Sequence, residues 1–470
     1  AHLLAVRPPR SLWWDGLDGP VVARPALVDH LDVDVVVVGG GFTGLWCARE
    51  LVRRDPGLSV AVVEQAVCGF GASGRNGGWA TALYPLSDEA VVERDGREAL
   101  DELRTALRRA VDELGAALTE DGVDAHYAKG GSLTFARSEV QESRLRAQLA
   151  QARDLGDSED DLVWLEGDDL AARARVHGAR GALYTPHSAR VQPARLVRGL
   201  AEAAERHGVR IFENTRVTRV LGRRGRRRAT AVTAGGTVHA DVVVRATEAF
   251  TPGLPGERRT VAPLYSLMVA TEPLSPAFWA SAGFAGGETF ADDRHMIIYG
   301  QRTADDRIAF GGRGAPYHFA SAVEERFDEV PRVFALLEQT LHDLFPDLEA
   351  GLTHRWGGPL AMPRDLSPSV LYAPETGLAS AGGYTGDGVV MSYVAGRTLA
   401  DLIATPEVET DLTRLPFVHH RPRRWEVEPL RWIGINVGLS LGAWADRVEE
   451  TEGRPSRAGA LLGRLLPKSP

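Results

Sequence analysis

Cysteine is nearly absent: Cys47 and Cys68 are the only two in 470 residues, too few for a disulfide framework or a four-thiolate metal site. Cys47 falls inside a helical pattern and Cys68 in a turn, so both read as packing residues in a reducing compartment. Lysine is equally scarce, at Lys129 and Lys468 alone among 54 cationic residues. The net charge of -9 repels phosphate backbones and argues against nucleic acid as the partner. The one dense basic run, Arg223 to Arg228, lies between β-rich stretches at Val217 to Leu221 and Ala229 to Thr233 and reads as a charged hairpin tip. No apolar run is long enough for a membrane span, since Trp432 to Trp444 is broken by Gly434, Asn436, Gly438, Ser440 and Gly442. Ala1 to Pro20 has no signal-peptide core, so the expectation is a soluble cytoplasmic protein. The histidines form no metal-binding set: His419 and His420 are adjacent and poorly placed to share an ion. Internal repeats and low-complexity segments are also missing.

What the chain does have is size and a 44% hydrophobic content, enough for two intertwined domains with a large core. Val33 to Val38 reads as a parallel strand buried on both faces, Phe42 to Arg54 as a helix and Ser59 to Val63 as the next strand. Leu86 to Glu120 reads as one long helix, with apolar positions at Leu100, Leu103, Leu107, Val111, Leu114 and Leu118. Pro193 opens a helix that runs to His207, followed by strands at Val209 to Phe212 and Asp241 to Arg245. From Thr260 to Gly312 the pattern changes to longer strands, with Asp305-Asp306 as a hairpin turn, which predicts an antiparallel sheet. Helices are expected at Ala322 to Phe345 and Gly388 to Ile403, the second after a strand at Leu378 to Ala381.

Three motifs carry chemistry. Gly39-Gly40-Gly41-Phe42-Thr43-Gly44 matches G-x-G-x-x-G between a strand and a helix, the context of a dinucleotide site. Gly39 permits the tight turn, Gly41 lets backbone approach a pyrophosphate and Gly44 allows helix and strand to pack closely, while the helix amides face the phosphates. Glu64 ends the second strand, where a carboxylate accepts hydrogen bonds from ribose hydroxyls and repels the extra phosphate of NADP. A second glycine loop, Gly69 to Gly78, follows directly; an NAD domain has little use for it, so FAD is the expected cofactor. The third motif, Gly382 to Gly388, turns into a helix and presents amides and a positive helix end to a flavin ring that gains negative charge on reduction.

With these motifs in place the sequence resembles the FAD-dependent D-amino-acid oxidase superfamily, in the branch of gamma-glutamylputrescine oxidase, glycine oxidase and sarcosine oxidase. The Ala72-Ser73-Gly74-Arg75-Asn76-Gly77-Gly78 loop is most similar to the gamma-glutamylputrescine oxidase group. The resemblance implies an α/β fold, α+β overall, in which a Rossmann-type FAD-binding domain from residues 30–120, 185–255 and 352–405 is interrupted by a substrate-binding domain. That second domain, residues 121–184 and 256–351, is expected to carry a large antiparallel sheet. Residues 1–29 form an N-terminal extension and 406–470 a C-terminal helical one. The same resemblance assigns cofactor contacts to Gly39, Gly41, Phe42, Thr43, Gly44, Glu64, Gln65, Gly71, Ala72, Ser73, Arg75, Asn76, Gly77 and Gly78. It extends them to Val217, Ala246, Thr247, Gly383, Gly386, Asp387, Gly388 and Val389.

The implied activity is oxidation of the C-N bond of a primary or secondary amine or amino acid to an imine, by hydride transfer to flavin N5, with O2 the expected acceptor. Such a reaction needs orientation and exclusion of water rather than a strong base. Tyr299, Arg302, Arg313 and Tyr384 are the candidate catalytic residues, with Tyr265 and Trp356 as further pocket walls or core. Arg302 either holds a substrate carboxylate through paired hydrogen bonds or pairs, like Arg307, with Asp305 or Asp306. Ala309 stands where some sarcosine oxidase relatives place an oxygen-activating lysine, with Arg313 nearby, so another acceptor remains open. Neither cysteine lies where those relatives attach flavin, and Gly69 to Gly78 has no histidine, so FAD is expected to be noncovalent. A flavin monooxygenase and a non-catalytic flavin-binding protein, the latter suggested by apolar Pro429 to Trp444, are the alternatives. Self-association into a homo-oligomer is left open.

Overall fold

The computed structural model describes residues 9–312 and 314–465. Its first sheet begins with Leu31–Val38, whose valines are buried on both faces. This strand pairs in parallel with Val60–Val63 on one side and Thr237–Arg245 on the other. Arg210–Phe212 and Leu378–Gly382 extend the parallel set outward, and Ser369–Ala373 closes one edge antiparallel. Parallel neighbours need crossovers, supplied here by Phe42–Arg54 and by long excursions of the chain. Val35, Val37, Val60 and Val62 pack against the helices Phe42–Arg54, Pro193–Arg206 and Gly388–Ala404. Val36, Val38, Ala61 and Val63 pack on the other side, against a hairpin formed by Val217–Leu221 and Ala229–Thr233. Arg224 and Arg227 pair across the tip of that hairpin, which places the basic run as expected from the sequence.

The second sheet has eight strands, in the order Leu352–Met362, Ala262–Thr271, Ile308–Gly312, Ile298–Arg302, Thr289–Asp292, Ser132–Ala136, Gly181–Thr185 and Val163–Leu165. It is antiparallel except where Thr289–Asp292 runs parallel to Ser132–Ala136. One face packs Leu267, Val269, Ile298, Ile308 and Phe310 onto the helix Pro331–Leu344. The opposite face offers Met268, Ala270, Tyr299, Ala309 and Trp356 to Trp13 and Trp14 from the chain's start.

Several boundaries differ from the sequence expectation. Leu352–Met362 pairs along its length with Ala262–Thr271, so residues 352–362 belong to the second sheet and not to the nucleotide domain. The long helix expected over Leu86 to Glu120 is two helices, Asp88–Asp95 and Arg97–Glu120, because Gly96 turns left-handed at φ +92° between them. The helix expected from Ala322 begins at Pro331, since proline disfavours helical backbone at the residue before it and favours a helix start. The C-terminal region carries two helices, Leu430–Glu452 and Arg457–Leu465. Among the described residues no helix is long and apolar enough to cross a membrane.

The crossing of strand and helix leaves no room for side chains. A Cβ at Gly44 would lie 2.0 Å from the carbonyl oxygen of Gly39, and one at Gly39, whose φ is +113°, would lie 2.3 Å from that of Ala246. Replacing Gly44→Ala is expected to destabilise the protein by about 1–3 kcal/mol through overpacking, read as a lower melting temperature with reduced FAD content.

Candidate active site

The residues of the first motif surround a cavity of about 270 Å³. Gly39, Gly41, Phe42, Thr43, Glu64, Gln65, Gly71, Ala72, Ser73, Val217, Ala246 and Thr247 all line it. Gly41 starts the helix Phe42–Arg54 without a side-chain cap, so the positive helix end opens onto this space. Ser73 Oγ accepts from the Phe42 amide at 2.9 Å and ties the second glycine loop to the first. Gly44 lies beneath the lining, where its missing side chain lets helix and strand touch.

Glu64 is buried and its carboxylate accepts from the amides of Gly40 at 2.8 Å and Ala66 at 2.9 Å. Burial pushes this carboxyl above the usual range and outweighs the lowering by those amides, with nearby Glu213 adding repulsion. A vicinal diol entering the cavity would supply further donors to a costly buried charge. Glycines that admit backbone, an open helix end and a buried acceptor form a set that fits the ribose and pyrophosphate of FAD.

The rest of the glycine loop faces the second sheet. Asn76 holds the loop's own backbone, donating to Ala72 O and Ser73 O and accepting from Gly78 N. A Cβ at Gly77 would meet the Tyr299 ring at 2.6 Å, and one at Gly78 would meet Gln301 Nε2 at 2.2 Å. Gln301 Nε2 donates to Gly77 O at 2.6 Å, and Tyr299 pairs its hydroxyl with Ser266 Oγ at 2.7 Å while meeting Trp79 edge to face. Arg75 is directed elsewhere: it pairs with Asp328 at 2.7 Å and donates to Gly357 O, and burial pushes the Asp328 carboxyl up to about 6 against the pull of Arg75.

Arg302 does not share this face. Its guanidinium pairs with Asp306 at 2.6 Å and lies over the Trp279 ring, while Arg307 pairs with Asp305. The reason is periodicity: Tyr299 and Arg302 are three apart on the strand Ile298–Arg302, so their side chains leave opposite faces of the sheet. Of the two readings left open by the sequence, the structure shows the pairing with aspartate. Tyr384 is also buried away from the pocket wall, bonded to Thr43 Oγ1 at 2.9 Å, and Tyr265 lies in the core on the Arg302 side of the sheet. Gly383, Gly386, Asp387, Gly388 and Val389 form the turn into the helix Gly388–Ala404, and Val389 is core. The Arg313 assignment lies outside the described residues.

Three features escaped the sequence reading. Trp13 donates from Nε1 to Asn76 O at 2.8 Å, and the Trp14 ring would contact a Cβ at Gly69 or Gly74, so the N-terminal segment props the glycine loop from below. The adjacent tryptophans were the available signal. Gln301 was passed over between two conspicuous neighbours. Glu248 lines the cavity with a half-buried carboxylate and left no signal in the sequence.

Residues 34–402 match the family described as FAD dependent oxidoreductase. The chain is 28% identical over 386 residues to the probable oxidoreductase OrdL of Haemophilus influenzae, covering 81% of this chain and 84% of that protein. It is 28% identical to the gamma-glutamylputrescine oxidoreductase of Escherichia coli, covering 80% of this chain and 85% of that one. Among solved structures, glycine oxidase from Geobacillus kaustophilus superposes with a TM-score of 0.69 at 24% identity, covering 83% of this chain and 99% of that one.

The raised Glu64 carboxyl has a consequence for stability. A group whose folded pKa lies above its unfolded value of 4.5 contributes fully at low pH and loses that contribution as pH rises through the folded value. The stability of the FAD-free protein relative to Glu64→Gln is therefore expected to shift toward the variant as pH rises from 4.5, measured by melting curves across pH. The same variant is expected to bind FAD about tenfold more weakly by fluorescence titration.

Proposed function

This chain belongs to the FAD dependent oxidoreductase family, and from that premise we propose that it oxidises the C-N bond of a primary or secondary amine or amino acid to an imine. The observation that carries the reading is the face of the second sheet holding Tyr299, Gln301, Ala309 and Trp356, which closes over Gly77 and Gly78 of the same glycine loop whose Gly71, Ala72 and Ser73 line the nucleotide cavity. The similarity to the gamma-glutamylputrescine oxidoreductase supports an amine as the substrate class. Bound along this cavity, FAD would supply the two-electron acceptor for a hydride leaving the carbon that bears nitrogen.

The residues of the chain then have modest duties. The helix start at Gly41 to Thr43 and the Glu64 carboxylate hold the nucleotide end. The apolar cluster of Trp13, Trp14, Met268, Trp356 and Tyr299 excludes water on the far side of the glycine loop, and Trp79 stands against Tyr299. Gln301 fixes the loop backbone, so the sheet and the loop approach a substrate as one surface. Among the described residues lining the cavity there is neither cysteine nor histidine, which supports noncovalent FAD. Cys47 and Cys68 are buried and unpaired, and burial pushes the Cys47 thiol up to about 12. Those free thiols support a cytoplasmic setting. The side chain facing the tryptophans at position 309 is alanine, so O2 as acceptor rests on the family reading and not on a charged neighbour.

Self-association into a homo-oligomer is supported by the helix Leu430–Glu452. Asn436, Asp446 and Glu449 bond inward to Tyr317, His295 and Arg144. Ile433, Val437 and Trp444 remain 47%, 51% and 55% exposed, an apolar stripe of the kind that marks a contact surface.

Anaerobic mixing with polyamines, gamma-glutamylated amines and amino acids is expected to bleach the flavin with at least one of them, and reoxidation in air to yield hydrogen peroxide. Bleaching by NAD(P)H alone would instead mark a monooxygenase, and no bleaching by any amine would leave a binding protein. With the substrate so found, Gln301→Ala is expected to lower kcat/KM about tenfold, whereas Arg302→Ala leaves KM within about twofold and lowers the melting temperature.

A further inference from the structure

Glu248 is a half-buried carboxylate on the cavity wall in a conformation that disfavours it. It follows Ala246 and Thr247 at the end of the strand Thr237–Arg245 and adopts φ +40°, the left-handed region where glycine or asparagine is preferred. A partly desolvated carboxylate and a strained backbone both cost stability, so the side chain must secure something in return. Its partners show what that is. The carboxylate accepts from the amide of Gly383 at 2.7 Å, and the nearby amides of Tyr384 and Ala361 also favour its charged form.

Those three amides belong to separate parts of the molecule. Gly383 and Tyr384 lie in the glycine turn that leads into the helix Gly388–Ala404, and Ala361 lies on the strand Leu352–Met362 of the second sheet. Glu248 itself stands on the nucleotide wall, with Ala249, Phe250, Pro252 and Gly253 lining the same cavity. The turn is tight around it: a Cβ at Gly382 would lie 2.8 Å from Glu248 Oε1. Thr385 adds a bond from its amide to Ala361 O at 3.3 Å, so turn and strand also meet directly beside the carboxylate.

We propose that Glu248 is a positioning residue for the flavin end of the cavity, its carboxylate fastening the Gly382 to Gly388 turn, and through that turn the second sheet at Ala361, to the nucleotide wall. The proposal rests on the reading of this cavity as the FAD site. Burial pushes the Glu248 carboxyl up to about 7, opposed by the three amides and by Arg245, which fits a group whose placement is enforced from several sides. A glutamine retains an oxygen that can accept from these amides, whereas alanine removes the acceptor and asparagine, at ease in left-handed backbone, falls one methylene short.

The test is titration of the FAD-free full chain with FAD, followed by quenching of flavin fluorescence and by the visible absorption spectrum of the complex. Wild type and Glu248→Gln are expected to agree within about threefold in affinity and to share one spectrum. Glu248→Ala and Glu248→Asn are expected to bind about tenfold or more weakly with displaced flavin bands, while the circular dichroism of the FAD-free protein stays that of wild type. Should Glu248→Ala fail to fold, Glu248→Asn carries the comparison. Wild-type affinity and spectrum in Glu248→Asn would overturn the proposal, as would a Glu248→Gln variant as impaired as Glu248→Ala. A wild-type protein that takes up no FAD overturns the reading of the cavity itself, a result distinct from either.

Discussion

Where the strand Leu31–Val38 gives way to the helix Phe42–Arg54, two stretches of backbone approach so closely that only hydrogen fits between them. Gly44 rests on the carbonyl of Gly39, and Gly39 in turn lies against the carbonyl of Ala246 on the neighbouring strand. This double contact sets the distance between helix and sheet, and with it the place where the helix amides emerge. It also brings the end of the strand Thr237–Arg245, and so Thr247 and Glu248, to the same cavity as Ser73 and Glu64. Residues far apart in the chain meet there because three glycine-permitted crossings leave them no other course. A third crossing, where a Cβ at Gly396 would lie 2.7 Å from Trp46 Cβ, locks the helix Gly388–Ala404 onto the first helix.

The cavity that results is electrostatically unusual for one suited to a pyrophosphate. Two carboxylates, buried Glu64 and half-buried Glu248, stand in its wall, and desolvation raises both. Among the described residues neither is balanced by a direct ion pair; their hydrogen-bond partners are backbone amides, of Gly40 and Ala66 in one case and of Gly383 in the other. Arg75 and Arg302 are engaged elsewhere, with Asp328 and Asp306, and among the described residues the arginine lining the space is Arg216. Attraction for an anionic ligand is thereby shared between the Arg216 guanidinium and oriented dipoles, which hold their direction. A wall of this kind strains the empty protein and is relieved by a ligand that brings hydroxyl donors to the carboxylates.

Legibility in the sequence followed how local each feature is. The first strand, the glycine turn, the helix and Glu64 occupy one continuous stretch, and hydrophobic period with turn chemistry suffices to read them. Leu352–Met362 was misplaced because strand pairing is decided by a partner some 90 positions earlier, at Ala262–Thr271, which no local pattern announces. Arg302 was drawn toward the site by its proximity in sequence to Tyr299, although the alternation of a strand separates them. Trp13 and Trp14 carried a visible signal, two adjacent aromatics near a proline-rich start, yet their destination under Gly69 and Gly74 depends on the whole fold. Glu248 shows the limit, since nothing in Ala-Thr-Glu-Ala-Phe marks a left-handed glutamate.

The same alternation that removes Arg302 also explains how the second sheet serves two purposes at once. Its odd and even positions part cleanly: Leu267, Val269, Ile298, Ile308 and Phe310 build a core with the helix Pro331–Leu344, while Met268, Ala270, Tyr299 and Ala309 face the glycine loop and the tryptophans. The core side fixes the shape of the sheet through large apolar residues. The other side is therefore free to carry small residues and a few polar ones, with Ala270, Ala309 and Gly311 making room and Tyr299 and Gln301 filling it. A Cβ at Gly77 or Gly311 would strike the Tyr299 ring, so the tyrosine is held between loop and sheet rather than left to choose among rotamers. On this face a single residue moved by one position would be lost to the core behind it.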